Sequence, residues 1–246
     1  MAFWVGAIAF LAVSWALRRG PRQVDRVFAD RLVISFFGAV SAGKSSGIKA
    51  TFGVNPGNIH PIPGTTKRVR VWALPEGLSV ADTPGMQDPD EQRVRLAKSF
   101  IDNTDIFVHV INSNPGITQK VKADMAVLRA TCRPVLVVLN KIDTISEGVR
   151  AGFVLHQQKI ADVAPEMFFS VAFDPLPQVS GTPMSVEPLR ERIRQVVERQ
   201  GAQLVREKRR ARMVQRAEKQ RSTLASAASI MMERLLDHGN RKCQNV

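Results

Sequence analysis

Short apolar runs alternate along the chain with longer segments of mixed polarity. The runs have the length of buried strands and are bounded by polar or turn-forming residues. They predict strands at 31–37, 78–82, 106–111, 134–139 and 166–169. The mixed segments predict helices at about 45–52, 91–103 and 118–131. Strands that alternate with helices in this way predict an α/β fold with a mostly parallel sheet and helices on both faces.

Two stretches rich in turn-forming residues interrupt this alternation. Residues 53–64 are rich in Gly and Pro and predict an irregular, flexible loop. A hairpin is predicted for 66–74 and 78–82, because Pro75-Glu76-Gly77 separates the two apolar runs with turn-forming residues. The hairpin therefore precedes the parallel βα units of the second half.

The C-terminal region predicts a long helix from Pro188 to about His238, with Gly201 as its main weak point. Its first part has the apolar spacing of a helix that packs on a sheet, at Leu189, Ile193, Val196 and Val197. Beyond Gly201 the pattern thins, and four interpretations stay open. The segment is a solvated extension, a basic amphipathic helix on anionic lipid, an arm for a partner or a second copy, or an RNA-binding arm.

The N-terminal region carries the most apolar segment of the chain. Residues 2–17 have no charged side chain, and arginines follow at 18, 19, 22 and 26. As a helix, 1–17 would span roughly 25 Å, at the short end for crossing a membrane. A secretory signal fits poorly because the arginines follow the apolar run, and a buried core helix is the other alternative. The pattern predicts a membrane anchor with the following domain in the cytoplasm.

Composition and charge divide the 246 residues into four predicted parts. These are an anchor, a basic linker, a globular domain and a basic helical tail, at 1–20, 21–30, 31–200 and 201–246. The formal net charge is +13, and residues 189–221 hold twelve Arg or Lys against four Glu. Such positive charge attracts acidic lipid or RNA. Cys132 and Cys243 show no metal-ligand spacing and suit a reducing compartment.

The first candidate for chemistry is GAVSAGKS at 38–45, between a predicted strand and a predicted helix. It matches GxxxxGK[ST], in which glycines let the backbone N–H groups wrap around phosphate groups. In this pattern Lys44 supplies a positive charge and Ser45 a hydroxyl for Mg²⁺. The predicted nucleotide-binding residues of the loop are Gly38, Ser41, Ala42, Gly43, Lys44, Ser45 and Ser46.

Two further motifs follow at the ends of predicted strands. DTPG begins at Asp82, where a carboxylate at the carboxyl end of a strand faces the ligand crevice and suits Mg²⁺. NKID comprises Asn140, Lys141 and Asp143. The Asp143 carboxylate can accept hydrogen bonds from the N1 and N2 donors of guanine, a pair that adenine lacks. The three motifs together predict a GTP site.

The motifs and their order resemble those of Era-like (TrmE–Era–EngA–septin-like) GTPases of the translation-factor class, over about 31–199. The phosphate loop also resembles that of the dynamin family. The resemblance implies a P-loop GTPase fold in which Thr66 ligates Mg²⁺ and the N–H of Gly85 contacts the γ-phosphate. With Lys44, these two residues form the implied catalytic set. It also implies that Ser170 and Val171 lie in the last, weak guanine-contacting loop.

One departure from related enzymes concerns the residue after Gly85. Ras-like enzymes place there a glutamine that orients the attacking water, whereas this chain has Met86. A thioether cannot orient water, so slow intrinsic hydrolysis is expected, accelerated by self-association or a partner. Potassium is a further candidate cofactor, although Ser41 stands where many potassium users carry asparagine.

The sequence therefore predicts a membrane-anchored GTPase that hydrolyses GTP to GDP and phosphate with Mg²⁺ and acts as a switch. The alternative is a GTP-regulated binding module with negligible turnover that recruits a membrane or ribosomal partner. A GTP-dependent homodimer is a candidate assembly. RNA is a less favoured partner, because the tail has few aromatic residues and no Gly-x-x-Gly clamp.

Overall fold

The computed structural model describes residues 31–54, 70–83 and 100–243. Its strands are β1 Leu32–Phe37, β2 Arg70–Ala73, β3 Leu78–Asp82, β4 Ile106–Asn112, β5 Val135–Asn140 and β6 Phe168–Ser170. They form one sheet in the order β2-β3-β1-β4-β5-β6. Strands β2 and β3 pair antiparallel, as the predicted hairpin requires, and every other neighbouring pair is parallel. The predicted mostly parallel α/β fold is confirmed.

Within the described residues the α-helices that connect or follow these strands are α1 Lys44–Phe52, α2 Gln119–Arg129, α3 Glu147–Ala161 and α4 Glu187–Cys243. Helix α3 has no counterpart among the predicted elements. Its apolar residues do not form one buried stripe, since Val149 and Leu155 are exposed while the polar Gln157 is buried. Most of the predicted loop 53–64 and most of the predicted helix 91–103 lie outside the described residues.

Two hydrophobic clusters lie on opposite faces of the sheet, because successive residues of a strand point to opposite sides. Ile34 and Phe36 belong to the cluster that contains Ile48 of α1 and Leu189 of α4. Phe37 belongs to the other cluster, to which α2 and α3 contribute Met125, Leu128 and Ala161. Helices thus cover both faces, and the carboxyl ends of the five parallel strands meet at one edge.

The chain divides into two compact units, 1–205 and 206–246. In the first unit, Leu189, Ile193 and Val196 of α4 are buried, as their spacing predicts. Gly201 is buried within α4 rather than breaking it, and a Cβ atom there would lie 3.3 Å from Leu32 Cδ2. The glycine therefore permits close packing. The predicted domain bounds stay a prediction.

The predicted membrane localisation needs correction. In residues 31–54, 70–83 and 100–243, no helix is long and apolar enough to cross a membrane. The predicted single-pass localisation is wrong on this finding, and the apolar N-terminal helix of the predicted fold is not shown. The segments assigned as anchor and linker, 1–20 and 21–30, lie outside the described residues.

Candidate functional site

The loop between β1 and α1 has the backbone of a tight phosphate-binding turn. Gly38, Ser41 and Gly43 have positive φ angles of 144°, 61° and 97°. A Cβ atom at Gly38 would lie 2.1 Å from the carbonyl oxygen of Val110, and one at Gly43 would lie 2.2 Å from Asn140 Nδ2. Both glycines are therefore required by neighbouring atoms as well as by the backbone conformation. The strand–loop–helix context predicted for this motif is observed.

The ammonium group of Lys44 lies within this loop. Its Nζ donates hydrogen bonds to the carbonyl oxygens of Gly38 at 3.1 Å and Ala39 at 2.9 Å. Helix α1 begins at Lys44, and no acidic residue in its first turn and no side-chain cap offsets its N-terminal dipole. The positive charge of Lys44 and the N-terminus of α1 therefore lie together at the loop, an arrangement that favours phosphate. Ser41 is exposed and Ser46 is half-buried.

The predicted Mg²⁺ ligands Ser45 and Asp82 meet at the end of the sheet. Ser45 Oγ donates a 2.5 Å hydrogen bond to Asp82 Oδ2. A hydroxyl oxygen beside a carboxylate supplies the hard oxygen donors that Mg²⁺ prefers, so the two side chains fit the ion. Thr66, the third predicted ligand, and Gly85 lie outside the described residues.

Asn140 connects the phosphate loop with the segment that follows β6. Its side chain is buried, its Nδ2 donates to the carbonyl oxygen of Ala42 at 2.8 Å, and its Oδ1 accepts from the N–H of Phe173 at 3.0 Å. The adjacent Lys141 has a left-handed φ of 65°. The chain turns sharply at Lys141, which leads into the short 3₁₀ helix Ile142–Thr144.

Asp143 lies in that 3₁₀ helix and is only 7% exposed. Its Oδ2 accepts a hydrogen bond from the N–H of Leu176 at 2.9 Å. Its Oδ1 is buried and has no hydrogen-bond partner within the described part of the chain. A buried carboxylate oxygen without a donor is costly, so this atom is suited to accept a donor from a ligand. The N1 and N2 groups of guanine are donors of this kind.

The predicted last guanine-contacting residues occupy different surroundings. Ser170 ends β6, and Val171 is fully buried. The N–H of Val171 donates to the carbonyl oxygen of Leu139 at 2.9 Å and is therefore already used. Their nucleotide contacts stay a prediction.

The residues that contact Asn140 and Asp143 from this side are Phe173 and Leu176, which sequence reasoning missed. Both act through backbone N–H groups, which leave no trace in the residue types. The available signal was the Asp-Pro pair at 174–175, which marks a turn directly after the strand.

A cavity of about 420 Å³ lies beside α3. Neither the phosphate loop nor Asn140 or Asp143 lines it, so it is distinct from the candidate nucleotide site. Its lining residues are Ile142, Glu147, Arg150, Ala151, Val154, Leu155, Gln158 and Ser170.

His109 is a buried titratable residue close to the phosphate loop. It lies in β4, opposite Phe37 and Val137 of the neighbouring strands. Burial, and then the positive charge of Lys44, lower its pKa from the ordinary 6.5 to about 4. Its Nδ1 has no hydrogen-bond partner in the described residues. The side chain is therefore neutral in the folded protein at neutral pH.

His109 is expected to make the fold sensitive to acid. Between pH 6.5 and pH 4 the unfolded chain binds a proton at this position that the folded chain does not. The free energy of unfolding should therefore fall as pH falls, by about 1 kcal/mol per pH unit. Urea unfolding across this range should show a shallower pH dependence for His109→Leu than for the unchanged chain. Equal slopes for the two proteins would contradict the prediction.

Comparison with known proteins agrees with these motifs. The model of a family described as 50S ribosome-binding GTPase matches residues 33–141. GTPase Der of Lacticaseibacillus casei is 27% identical over 165 residues, which cover 61% of this chain and 38% of that protein. The tRNA modification GTPase MnmE of Burkholderia cenocepacia is 27% identical over 147 residues, which cover 56% and 31%. The similarity thus spans well under half the length of these relatives.

Solved structures give a weaker similarity. A probable GTP-binding protein engB is 20% identical, with a TM-score of 0.47 over 68% of this chain and 98% of that chain. Era in complex with MgGDPNP and part of 16S ribosomal RNA is 21% identical, with a TM-score of 0.44 over 58% and 51%. Values this low support no conclusion about function.

The family match covers the phosphate loop and Asp82, and it ends at Lys141 within the NKID motif. The curated relatives, Der and MnmE, are named as GTPases. The predicted resemblance to Era-like (Era/TrmE/EngA-type) GTPases is confirmed, and the family model accounts for residues 33–141.

Proposed function

We propose that this chain is a GTPase, which binds GTP together with Mg²⁺, hydrolyses it to GDP and phosphate, and changes conformation with the bound nucleotide. The observation that carries the proposal is the pair of hydrogen bonds made by Asn140. They hold the phosphate loop beside the loops that would contact the base. Phosphate-binding and base-reading groups therefore face one site, as a nucleotide requires.

The proposed roles follow from the positions of the side chains and, for two residues, from the family resemblance. Lys44 and the N-terminus of α1 hold the β- and γ-phosphates. Ser45 and Asp82, together with Thr66, hold Mg²⁺, which when bound neutralises phosphate charge. The N–H of Gly85 contacts the γ-phosphate, so that loss of this phosphate on hydrolysis changes the conformation of its loop.

Base recognition is the part of the proposal that the described residues support most directly. Asp143 offers a buried, unpartnered Oδ1 to guanine. Asn140 and Lys141 place it beside the phosphate loop.

GTP turnover by the purified chain tests the proposal. We expect slow turnover, because Met86 cannot orient water, and we expect Met86→Ala to leave the rate unchanged. Lys44→Ala should abolish both binding and turnover, which serves to exclude a contaminating enzyme. Tight GTP binding without turnover would favour the alternative, a binding module whose partner recognises the GTP state.

The same assay tests two further parts of the proposal. Turnover compared in potassium and sodium shows whether potassium is a cofactor. A turnover number that rises with protein concentration would support a GTP-dependent homodimer, whereas a constant value would contradict it.

A ribosomal partner is also part of the proposal. The matched family is described as ribosome-binding. In the unit 206–246, Arg206 and Arg210 are exposed and supply positive charge that attracts ribosomal RNA. Co-sedimentation with 50S subunits should be stronger with a GTP analogue than with GDP. Equal or absent sedimentation in both states would exclude a nucleotide-regulated ribosomal partner.

A further inference from the structure

The segment that follows β6 forms a loop closed at its base. Ala172 and Met184 pair through two hydrogen bonds, N–H of Ala172 to O of Met184 at 3.1 Å and N–H of Met184 to O of Ala172 at 2.8 Å. Within the loop, the carbonyl oxygen of Leu176 accepts from the N–H groups of Val179 at 2.8 Å and Ser180 at 3.1 Å. These bonds fix the backbone on both sides of Leu176.

The loop is also anchored at the candidate nucleotide site. Phe173 is buried, and its N–H donates to Asn140 Oδ1. Its ring packs so closely on α1 that a Cβ atom at Gly47 would lie 2.7 Å from Phe173 Cε2. Three residues later, the N–H of Leu176 donates to Asp143 Oδ2 at 2.9 Å. The loop therefore contacts both side chains that are proposed to read the base.

The contact at Leu176 affects how Asp143 can meet a base. The terminal torsion of an aspartate side chain has broad minima, so a carboxylate without a fixed partner can rotate. The Leu176 N–H holds one oxygen and so fixes the plane of the group. Because each carboxylate oxygen can accept two hydrogen bonds, Oδ2 keeps capacity for a second donor while Oδ1 stays unpartnered.

We propose that the loop 173–184 positions the Asp143 carboxylate for guanine through the backbone N–H of Leu176, which makes Leu176 a specificity-determining position. The inference rests on the proposed function. Leu176 is 48% exposed and its donor is the backbone N–H, so the contact does not depend on its side chain. Leu176 is a positioning residue, because it acts on the base through Asp143. The fixed carboxylate binds guanine without first losing rotational freedom.

The test compares Leu176→Pro, which removes the N–H donor, with Leu176→Ala, which keeps it. Affinities are measured for GDP and for inosine diphosphate, which lacks the 2-amino group from which Asp143 would accept a hydrogen bond. The unchanged chain and Leu176→Ala should prefer GDP. Leu176→Pro should reduce this preference about tenfold, the effect of one weakened hydrogen bond to a charged group.

Proline can also disturb the loop backbone, so two further measurements are needed. Exchanging the amide at Leu176 for an ester by incorporating the α-hydroxy analogue of leucine removes the N–H with little change in shape, and it should reduce the preference likewise. In an Asp143→Ala background, Leu176→Pro should cause no further loss of GDP affinity, because the two groups act as one unit.

The outcomes separate this inference from the function on which it rests. A GDP preference that persists in the ester variant, or additive losses in the double variant, would overturn the positioning role while leaving GTP binding intact. An unchanged chain that binds GDP no better than inosine diphosphate would overturn base reading by Asp143 and the inference with it.

Discussion

Replacing Asn140 by alanine is expected to destabilise the nucleotide-free protein by about 2–6 kcal/mol and to abolish tight GDP binding. The substitution removes the hydrogen bonds to the carbonyl oxygen of Ala42 and the N–H of Phe173. Both residues are buried, so each backbone group would lose its partner at a cost of about 1–3 kcal/mol. Urea unfolding and GDP titration measure the two effects.

Asn112→Ala provides a matched control. Asn112 ends β4 directly opposite Asn140 of β5, but among the described residues its side chain accepts a single, exposed hydrogen bond, from the N–H of Asn114. We expect this variant to lose less than about 1 kcal/mol and to keep GDP binding. If the two variants lose the same free energy of unfolding, Asn140 does not stabilise the protein by connecting the phosphate loop with the loop after β6.

The strands could be predicted because each is a short apolar run enclosed by polar residues. The runs at 106–111 and 134–139 agree with β4 and β5 to within one residue at each end. Prediction was poorer where tertiary packing determines the structure. At the start of the run 166–169, Pro165–Met167 forms a 3₁₀ helix, so that β6 begins only at Phe168. Helix α3 went unpredicted because its apolar residues do not all face the core.

The residues of the candidate site also divide into those that the sequence could identify and those that depend on the fold. Motifs identified Lys44, Ser45 and Asp82, because side-chain chemistry at fixed spacing defines those roles. The sequence could not show that Leu176 contacts Asp143, since every residue except proline carries the same N–H donor. His109 was also missed. It occupies one position in an apolar strand, and only its surroundings in the fold determine its pKa.

Asp143→Asn is expected to change the preferred base from guanine to xanthine. Guanine presents two hydrogen-bond donors to the carboxylate. The amide of asparagine has one acceptor oxygen for the first donor, and its NH₂ group, itself a donor, would face the second donor of guanine. GDP affinity should fall by about 10²–10³-fold, since hydrogen bonds to charged groups contribute about 1.5–3 kcal/mol each. The Leu176 N–H requires an acceptor at the position of Oδ2, so the new NH₂ group would take the position of Oδ1. There it can donate to the 2-carbonyl oxygen of xanthine, and affinity for xanthosine diphosphate should rise.

Competition between GDP and xanthosine diphosphate for the purified variant measures this change in base preference. Asp174→Asn is the control, because Asp174 is an exposed carboxylate on the same loop and should keep the preference for GDP. A loss of GDP affinity without a gain in affinity for xanthosine diphosphate would mean that the side-chain amide takes the opposite orientation. In that case the N–H of Leu176 does not fix the orientation of this side chain. Unchanged GDP affinity would mean that Asp143 does not contact the base, because removing one acceptor from a buried contact cannot be neutral.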